Sequence, residues 1–202
     1  MKKYKLTDSI YEKKKVKKEE LKNIVNQIRN DQIKGVNVTV PFKKEIIPLL
    51  DGLDDVAKKT QSVNTLNKIN NEVWGYNTDV SGFNDSLILD KNINFKNKNI
   101  LILGAGGVTT SIICSFINNA NKIYITNRTK EKAEQLKKHY PKEQIEIIDW
   151  KEKPKICDLV INTTSVGLIK DDKLDINFHN YNNITNALFY DIIYNPKETK
   201  FL

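Results

Sequence analysis

The chain has 202 residues, 39% hydrophobic and 29% charged, with a formal net charge of +8. That length allows one or two domains with cores of their own, and that balance excludes a disordered chain. No apolar run approaches the length that crosses a bilayer, and Met1-Lys2-Lys3-Tyr4 opens no secretion signal, which excludes a membrane protein and points to the cytoplasm.

The two cysteines, Cys114 and Cys157, are too few for a disulfide framework and read as reduced core thiols. The positive charge is mostly scattered lysine. Its one dense run, Lys13-Lys14-Lys15-Val16-Lys17-Lys18, has no interleaved aromatics and reads as a solvated surface, not a nucleic-acid patch.

In chain order, Leu21, Ile24, Val25 and Ile28 recur at helical spacing and predict an amphipathic helix over about 17–33, ended by Gly35. Val36, Val38 and Val40 alternate with Asn37 and Thr39, which predicts a strand that Pro41 stops. Short helices are expected over 42–50 and 53–59, broken by Asp51-Gly52. Strands follow at 65–69 and 73–76 around an Asn70-Asn71 hairpin turn, then a helix over 79–89. The polar stretch 90–99 is the candidate linker, which divides the chain into units 1–89 and 90–202. Beyond it, strands at 100–103, 123–126, 145–148, 159–162 and 188–192 are almost continuously apolar, with helices at 108–118 and 130–139. The fold class is therefore α/β, with a parallel sheet covered on both faces in the second unit.

The strand Ile100-Leu101-Ile102-Leu103 runs straight into Gly104-Ala105-Gly106-Gly107-Val108, where a helix opens. Glycine there lets the backbone approach a pyrophosphate, and the helix N-terminus offers it unpaired N–H groups. Asn127 lies twenty residues beyond Gly107, at the end of the next strand. An acid at that place would grip the ribose 2′-hydroxyl of NAD. Here Arg128 stands instead, flanked by Asn127 and Thr129 with Lys132 a turn on, and a guanidinium suits the 2′-phosphate of NADP. The segment Asn162-Thr163-Thr164-Ser165-Val166-Gly167 follows a strand and reads equally as a wall of the nicotinamide end or as a polar turn.

In the first half, Thr39 and Lys43 sit at a strand end. Ser62-Val63-Asn64-Thr65 and Asn77-Thr78-Asp79 add amides, hydroxyls and a carboxylate. Lys43 reads either as a donor to an oxyanion or as one more surface lysine. Asp79 reads either as a working carboxylate or as a helix cap.

Seven ordered segments together resemble the bacterial shikimate dehydrogenase family. They are Asn37 to Lys43, Ser62 to Thr65, Gly75 to Phe83, Gly104 to Gly107, Asn127 to Thr129, Asn162 to Gly167, and Asp191 to Pro196 with Thr199. The resemblance implies an N-terminal substrate domain followed by a Rossmann-like NADP domain. It implies NADPH-dependent reduction of 3-dehydroshikimate to shikimate, and the reverse, in aromatic amino-acid (chorismate) biosynthesis. Lys43 and Asp79 then match the catalytic pair, and Thr39, Asn64 and Tyr194 match residues around the substrate. Gly104, Ala105, Gly106, Gly107, Val108, Thr164 and Ile192 match the dinucleotide site, Ile192 standing where a methionine is often found. Asn127, Arg128, Thr129 and Lys132 match the 2′-phosphate clamp, with Lys132 in place of the common arginine.

The resemblance further implies an opening Ser-x-Ser-x-x-x-His-Asn loop and C-terminal helices that bear a glutamine. Neither pattern occurs in this sequence, and His139 and His179 lie far from its start. The sequence thus suggests a short form in which NADP binding outlasts catalysis, with a catalytically impaired NADP-binding module as the alternative. A small-molecule substrate, no nucleic-acid or membrane partner, no metal, and a monomer or homodimer complete the expectation. An NAD-linked quinate or shikimate enzyme is disfavoured by Arg128 and the absent acid.

Overall fold

Leu21, Ile24, Val25 and Ile28 share one face of a helix because their spacing is three and four residues. In the computed structural model, which describes residues 9–91, 94–169, 172–179, 181 and 186–202, that face is buried. The helix, α1, runs Leu21–Arg29 behind a 3-10 turn at Lys18–Glu20. It ends before the expected 33 because Asn30 already leaves helical geometry and Asp31 takes a φ of 60°.

Four strands make the first sheet: β1 (Gly35–Asn37), β2 (Gly52–Leu53), β3 (Thr65–Ile69) and β4 (Glu72–Tyr76). Their order is β1-β3-β4-β2, with β2 parallel to β4 and the other pairs antiparallel. Asn70 supplies the hairpin turn with a φ of 54°. Strand β1 stops three residues short of Val40. Val38 N still donates to Asn64 O at 2.8 Å, but Thr39 O then accepts from Phe42 N and the chain turns away. The expected helix over 42–50 is a run of turns closed by a 3-10 turn at Ile47–Leu49, with Pro48 in it. Leu53 belongs to β2, so the next helix, α2 (Asp55–Thr60), starts two residues later than expected, where Asp54 accepts from Ala57 N at 2.7 Å.

The second sheet is wholly parallel: β5 (Asn99–Leu103), β6 (Lys122–Thr126), β7 (Ile145–Ile147), β8 (Leu159–Asn162) and β9 (Leu188–Asp191), ordered β7-β6-β5-β8-β9. Helices α4 (Thr109–Phe116) and α5 (Lys130–His139) lie in its crossovers. The central strands β5 and β8 are buried almost throughout, as the sequence predicts of a sheet covered on both faces, whereas the edge strand β9 is half-buried to exposed.

Helix α3 (Asp79–Lys91) joins the two sheets. It leaves the end of β4, yet its Phe83 and Leu87 belong to the core of the second sheet. Phe83 meets Phe116 and Tyr190 edge-on, at 5.6 and 5.2 Å between ring centroids. The 89/90 division thus falls inside a helix. Of the polar stretch 90–99, residues 92 and 93 lie outside the described residues. The rest is tethered: Phe95 packs against the second core, and Asn97 N donates to Asn119 O at 2.7 Å. Cys157 is buried and Cys114 half-buried, both free, and burial pushes the Cys157 thiol up to about 11. Among the described residues, no helix is long and apolar enough to cross a membrane.

Asp51 fastens α1 to the first sheet. Its carboxylate takes Val73 N–H at 2.7 Å and both oxygens take the Arg29 guanidinium, at 2.9 and 2.7 Å. The Val73 N–H, and then Arg29, hold its pKa below the ordinary 3.8. A depressed carboxylate stabilises the fold fully above that ordinary value and loses its effect as the pH falls through the folded one. Asp51→Ala should therefore lower the Tm at neutral pH by about 3 °C, and the gap to wild type should close only in acid below 3.8. An unchanged neutral Tm by calorimetry contradicts this role.

Candidate active site

Lys43 lies in the turn that follows β1, where Val63 N donates to its carbonyl at 2.8 Å. Its ammonium donates to Asp79 Oδ2 at 2.8 Å, and the two side chains are 14% and 24% exposed. Lys43 is therefore an inward-tied cation, not a solvated surface lysine. Asp79 Oδ1 accepts from Asn64 Nδ2 at 2.7 Å, and Asn64 Oδ1 accepts from Thr78 N at 3.0 Å. Asp79 does not cap its own helix. Asn77 Oδ1 takes the Asp79 N–H at 3.0 Å, which leaves the Asp79 carboxylate free for Lys43 and Asn64. A half-buried ammonium held this way can hydrogen-bond to, and protonate, an oxygen that enters beside it.

Of the five residues expected around the substrate, the structure gathers Lys43, Asp79 and Asn64 in one hydrogen-bonded cluster. Thr39 is exposed one turn earlier, and its hydroxyl makes no hydrogen bond among the described residues. Tyr194 is 89% exposed, in the loop after β9.

The strand order reverses between β5 and β8, the point at which sheets of this kind form a ligand crevice at the carboxyl ends of their strands. Gly104 ends β5 with a φ of +111°, and a Cβ on it would stand 2.8 Å from Thr163 Oγ1. Thr163 Oγ1 in turn lies 2.8 Å from Thr109 Oγ1, which joins the loop after β8 to the first turn of α4. Gly106 and Gly107 are different. A Cβ on either would meet nothing within 4 Å, and neither has a positive φ. Packing and backbone conformation require no glycine there, so open space lies over both residues beside the N-terminus of α4. That space fits the close approach of a pyrophosphate to backbone N–H groups. Val108 borders it as the residue before α4.

Asn127 ties this loop to the end of β6. Ala105 N donates to Asn127 Oδ1 at 3.1 Å, and Asn127 Nδ2 donates to Thr129 O at 2.7 Å. Arg128, Thr129 and Lys132 are exposed. Lys130 is paired with Asp149, whereas Arg128 and Lys132 enter no ion pair among the described residues. Two cations without an ion-pair partner, in the loop and first turn after β6, suit a phosphate dianion.

Thr164 N and Oγ1 both donate to Asn162 Oδ1, at 3.0 and 2.7 Å. Asn162 Nδ2 reaches both oxygens of Asp191, at 3.1 and 3.2 Å, and Thr199 Oγ1 donates to Asp191 Oδ2 at 2.6 Å. The loops after β8 and β9 are thus locked together, with half-buried Ile192 beside them. Sequence reasoning quoted Asn162 and Asp191 within motifs but gave them no role. The available signal was a polar residue at the last position of each of two apolar strands.

A parallel sheet with a glycine-lined crevice at its switch point, and a lysine–aspartate pair at the start of the helix that enters its core, defines a dinucleotide-linked oxidoreductase. The family model for the shikimate dehydrogenase substrate binding domain matches residues 2–66, and that for shikimate / quinate 5-dehydrogenase matches residues 86–199. A shikimate dehydrogenase (NADP(+)) of Pelagibacter ubique is 47% identical over 203 residues, covering 100% of this chain and 74% of that protein. The crystal structure of shikimate dehydrogenase from Aquifex aeolicus superimposes with a TM-score of 0.78 at 40% identity, over 93% of this chain and 68% of that one. A shikimate dehydrogenase solved in complex with NADP+ gives 0.83 at 30% identity, over 93% and 67%. The chain belongs to the shikimate dehydrogenase family.

The two kinds of glycine separate under substitution. Gly106→Ala should leave the Tm within about 1 °C of wild type while weakening NADP+ binding at least about tenfold by calorimetric titration. Gly104→Ala should lower the Tm by about 3–8 °C, since it meets both an unfavourable φ and a side chain. Unimpaired NADP+ binding by Gly106→Ala would contradict the pyrophosphate assignment.

Proposed function

We propose that the chain catalyses the NADP-dependent interconversion of 3-dehydroshikimate and shikimate, a step in the formation of chorismate and the aromatic amino acids. Its family and the Lys43–Asp79 ion pair at 2.8 Å support this reading, and that pair is the observation that carries it. Residues 1–89 form the substrate-binding unit in this proposal, and 90–202 the NADP-binding unit. A cytoplasmic enzyme that works as a monomer or homodimer on a small molecule completes it.

Bound NADPH supplies the hydride to the carbonyl carbon. Lys43 meets the negative charge that grows on the carbonyl oxygen and gives that oxygen a proton from Nζ. Asp79 keeps the ammonium pointed at the oxygen and, with Asn64 and Thr39, takes hydrogen bonds from the ring hydroxyls. Tyr194 borders the substrate from the loop after β9. In the reverse direction Lys43 accepts the hydroxyl proton.

Arg128 and Lys132 hold the 2′-phosphate, and Asn127 and Thr129 shape the loop that presents them. Gly104, Ala105, Gly106, Gly107 and Val108 cradle the pyrophosphate, while Thr164 and Ile192 flank the nicotinamide end. A carboxylate at residue 128 would repel a 2′-phosphate, and a guanidinium binds it in two places.

The test is NADPH absorbance with purified protein, shikimate and NADP+. Wild type should turn over, and Lys43→Ala should lose about 10²–10⁴-fold in kcat. A silent wild type, or a Lys43→Ala variant of equal rate, contradicts the proposal. Arg128→Ala should raise the KM for NADP+ about 10–100-fold and leave NAD+ kinetics unchanged, since only the phosphate contact is lost.

A further inference from the structure

Asn77 has no part in the chemistry above, yet it connects every piece of it. The residue lies between β4 and α3, 4% exposed. Its Nδ2 donates to Ser62 O at 2.9 Å, Thr60 Oγ1 at 3.0 Å and Ser111 Oγ at 3.1 Å. Its Oδ1 takes the Asp79 N–H at 3.0 Å. An amide has only two protons, so the three acceptors share them, while Oδ1 also lies 3.4 Å from Val80 N and 3.5 Å from Ser111 Oγ.

Each partner leads to a different part of the site. Asp79 carries the carboxylate, and the bond to its N–H fixes where α3 begins. Ser62 precedes Val63, whose N–H holds the Lys43 carbonyl at 2.8 Å, and then Asn64, which holds Asp79 Oδ1. Ser111 lies in the first turn of α4, four residues beyond Gly107, and its N–H bonds Val108 O at 3.0 Å. Ser111 is fully buried, and its hydroxyl touches only Asn77 among the described residues. One buried amide therefore references the lysine, the aspartate and the helix of the glycine loop to a common point.

We infer that Asn77 is a positioning residue: with Ser111, it fixes the Lys43–Asp79 pair relative to the dinucleotide crevice and so sets the geometry of hydride and proton transfer. The inference rests on the dehydrogenase reading proposed above. A purely structural cap on α3 would stabilise the fold without touching that geometry, and the two roles differ in kinetics. Misplacement of reacting groups slows the chemical step itself. Loss of folded protein lowers the rate in proportion to the folded fraction and changes nothing else.

Ser111→Ala removes the link to α4 and leaves Asn77 two other acceptors and its bond to Asp79. Asn77→Ser keeps a hydroxyl for the Asp79 N–H but loses the amide donors. Both are measured beside wild type for Tm, NADP+ dissociation constant, kcat, KM and the primary isotope effect with NADPH deuterated at C4. Ser111→Ala should keep its NADP+ affinity, lose about tenfold in kcat and show a larger isotope effect, because hydride transfer becomes slower relative to the other steps. Asn77→Ser should lose more and shift the same way.

Variants with wild-type kinetics overturn the inference. So does a kcat that falls only with the folded fraction, at constant KM and isotope effect. Should Asn77→Ser fail to fold, the isotope effect of Ser111→Ala decides alone. A wild type without turnover overturns the dehydrogenase reading and this inference with it, whereas an active wild type with indifferent variants overturns the inference only.

Discussion

A lysine and an aspartate 36 residues apart, joined at 2.8 Å and largely out of solvent, impose the main constraint on this fold. Partly burying two charges costs solvation, and the pair offsets that cost only when the remaining hydrogen-bonding capacity is met. Here Asn64 satisfies the second aspartate oxygen, and Asn77 takes the backbone N–H of Asp79. The turn that holds Lys43, the start of β3 and the start of α3 must meet at one place for this to hold. An apolar pair would hold those elements together with less desolvation, so the ion pair is best understood through its chemistry. It keeps an ammonium oriented beside the place where an oxygen can enter.

The second constraint is topological. In a parallel sheet with the order β7-β6-β5-β8-β9, the crossovers from β5 and β8 diverge, and sheets of this kind bind ligands above the carboxyl ends at that point. Gly104 and Thr163 are pressed together there, Gly106 and Gly107 face open space, and Asn127 holds the glycine loop to the cationic loop after β6. Helix α3 couples this constraint to the first. It begins at Asp79 and carries Phe83 and Leu87 into the core of the second sheet, so one helix links the carboxylate to that sheet.

The second sheet was nearly all legible in the sequence. Its strands are nearly continuous apolar runs, and helix 130–139 and strand 159–162 have the bounds that periodicity predicts. The first sheet was less legible because its local signals compete. Val36-Asn37-Val38-Thr39-Val40 alternates like a strand, but only Gly35–Asn37 pairs with β3, and Thr39 O accepts a turn bond instead. Residues 42–50 have the spacing of a helix, yet proline at 41 and 48 and the tether from Val63 to Lys43 impose turns. Glycine motifs announced the crevice, since strand, glycine and helix are adjacent in the chain. The Lys43–Asp79 pair came from the family resemblance, because no spacing rule relates residues 43 and 79. Asn77 was quoted only as one polar residue in a motif. Its importance comes from Ser111, 34 positions away, which sequence pattern does not place beside it.

The central claim is that the lysine–aspartate pair and the glycine-lined crevice serve one reaction centre. The most direct test is a crystal structure of the protein with NADP+ and shikimate bound together, in which the distance from nicotinamide C4 to the carbinol carbon is measured. The account predicts about 3–3.5 Å, with Lys43 Nζ in hydrogen-bond contact with the oxygen on that carbon. A nicotinamide directed away from Lys43, or a substrate seated where neither Lys43 nor Asp79 touches it, would contradict the account.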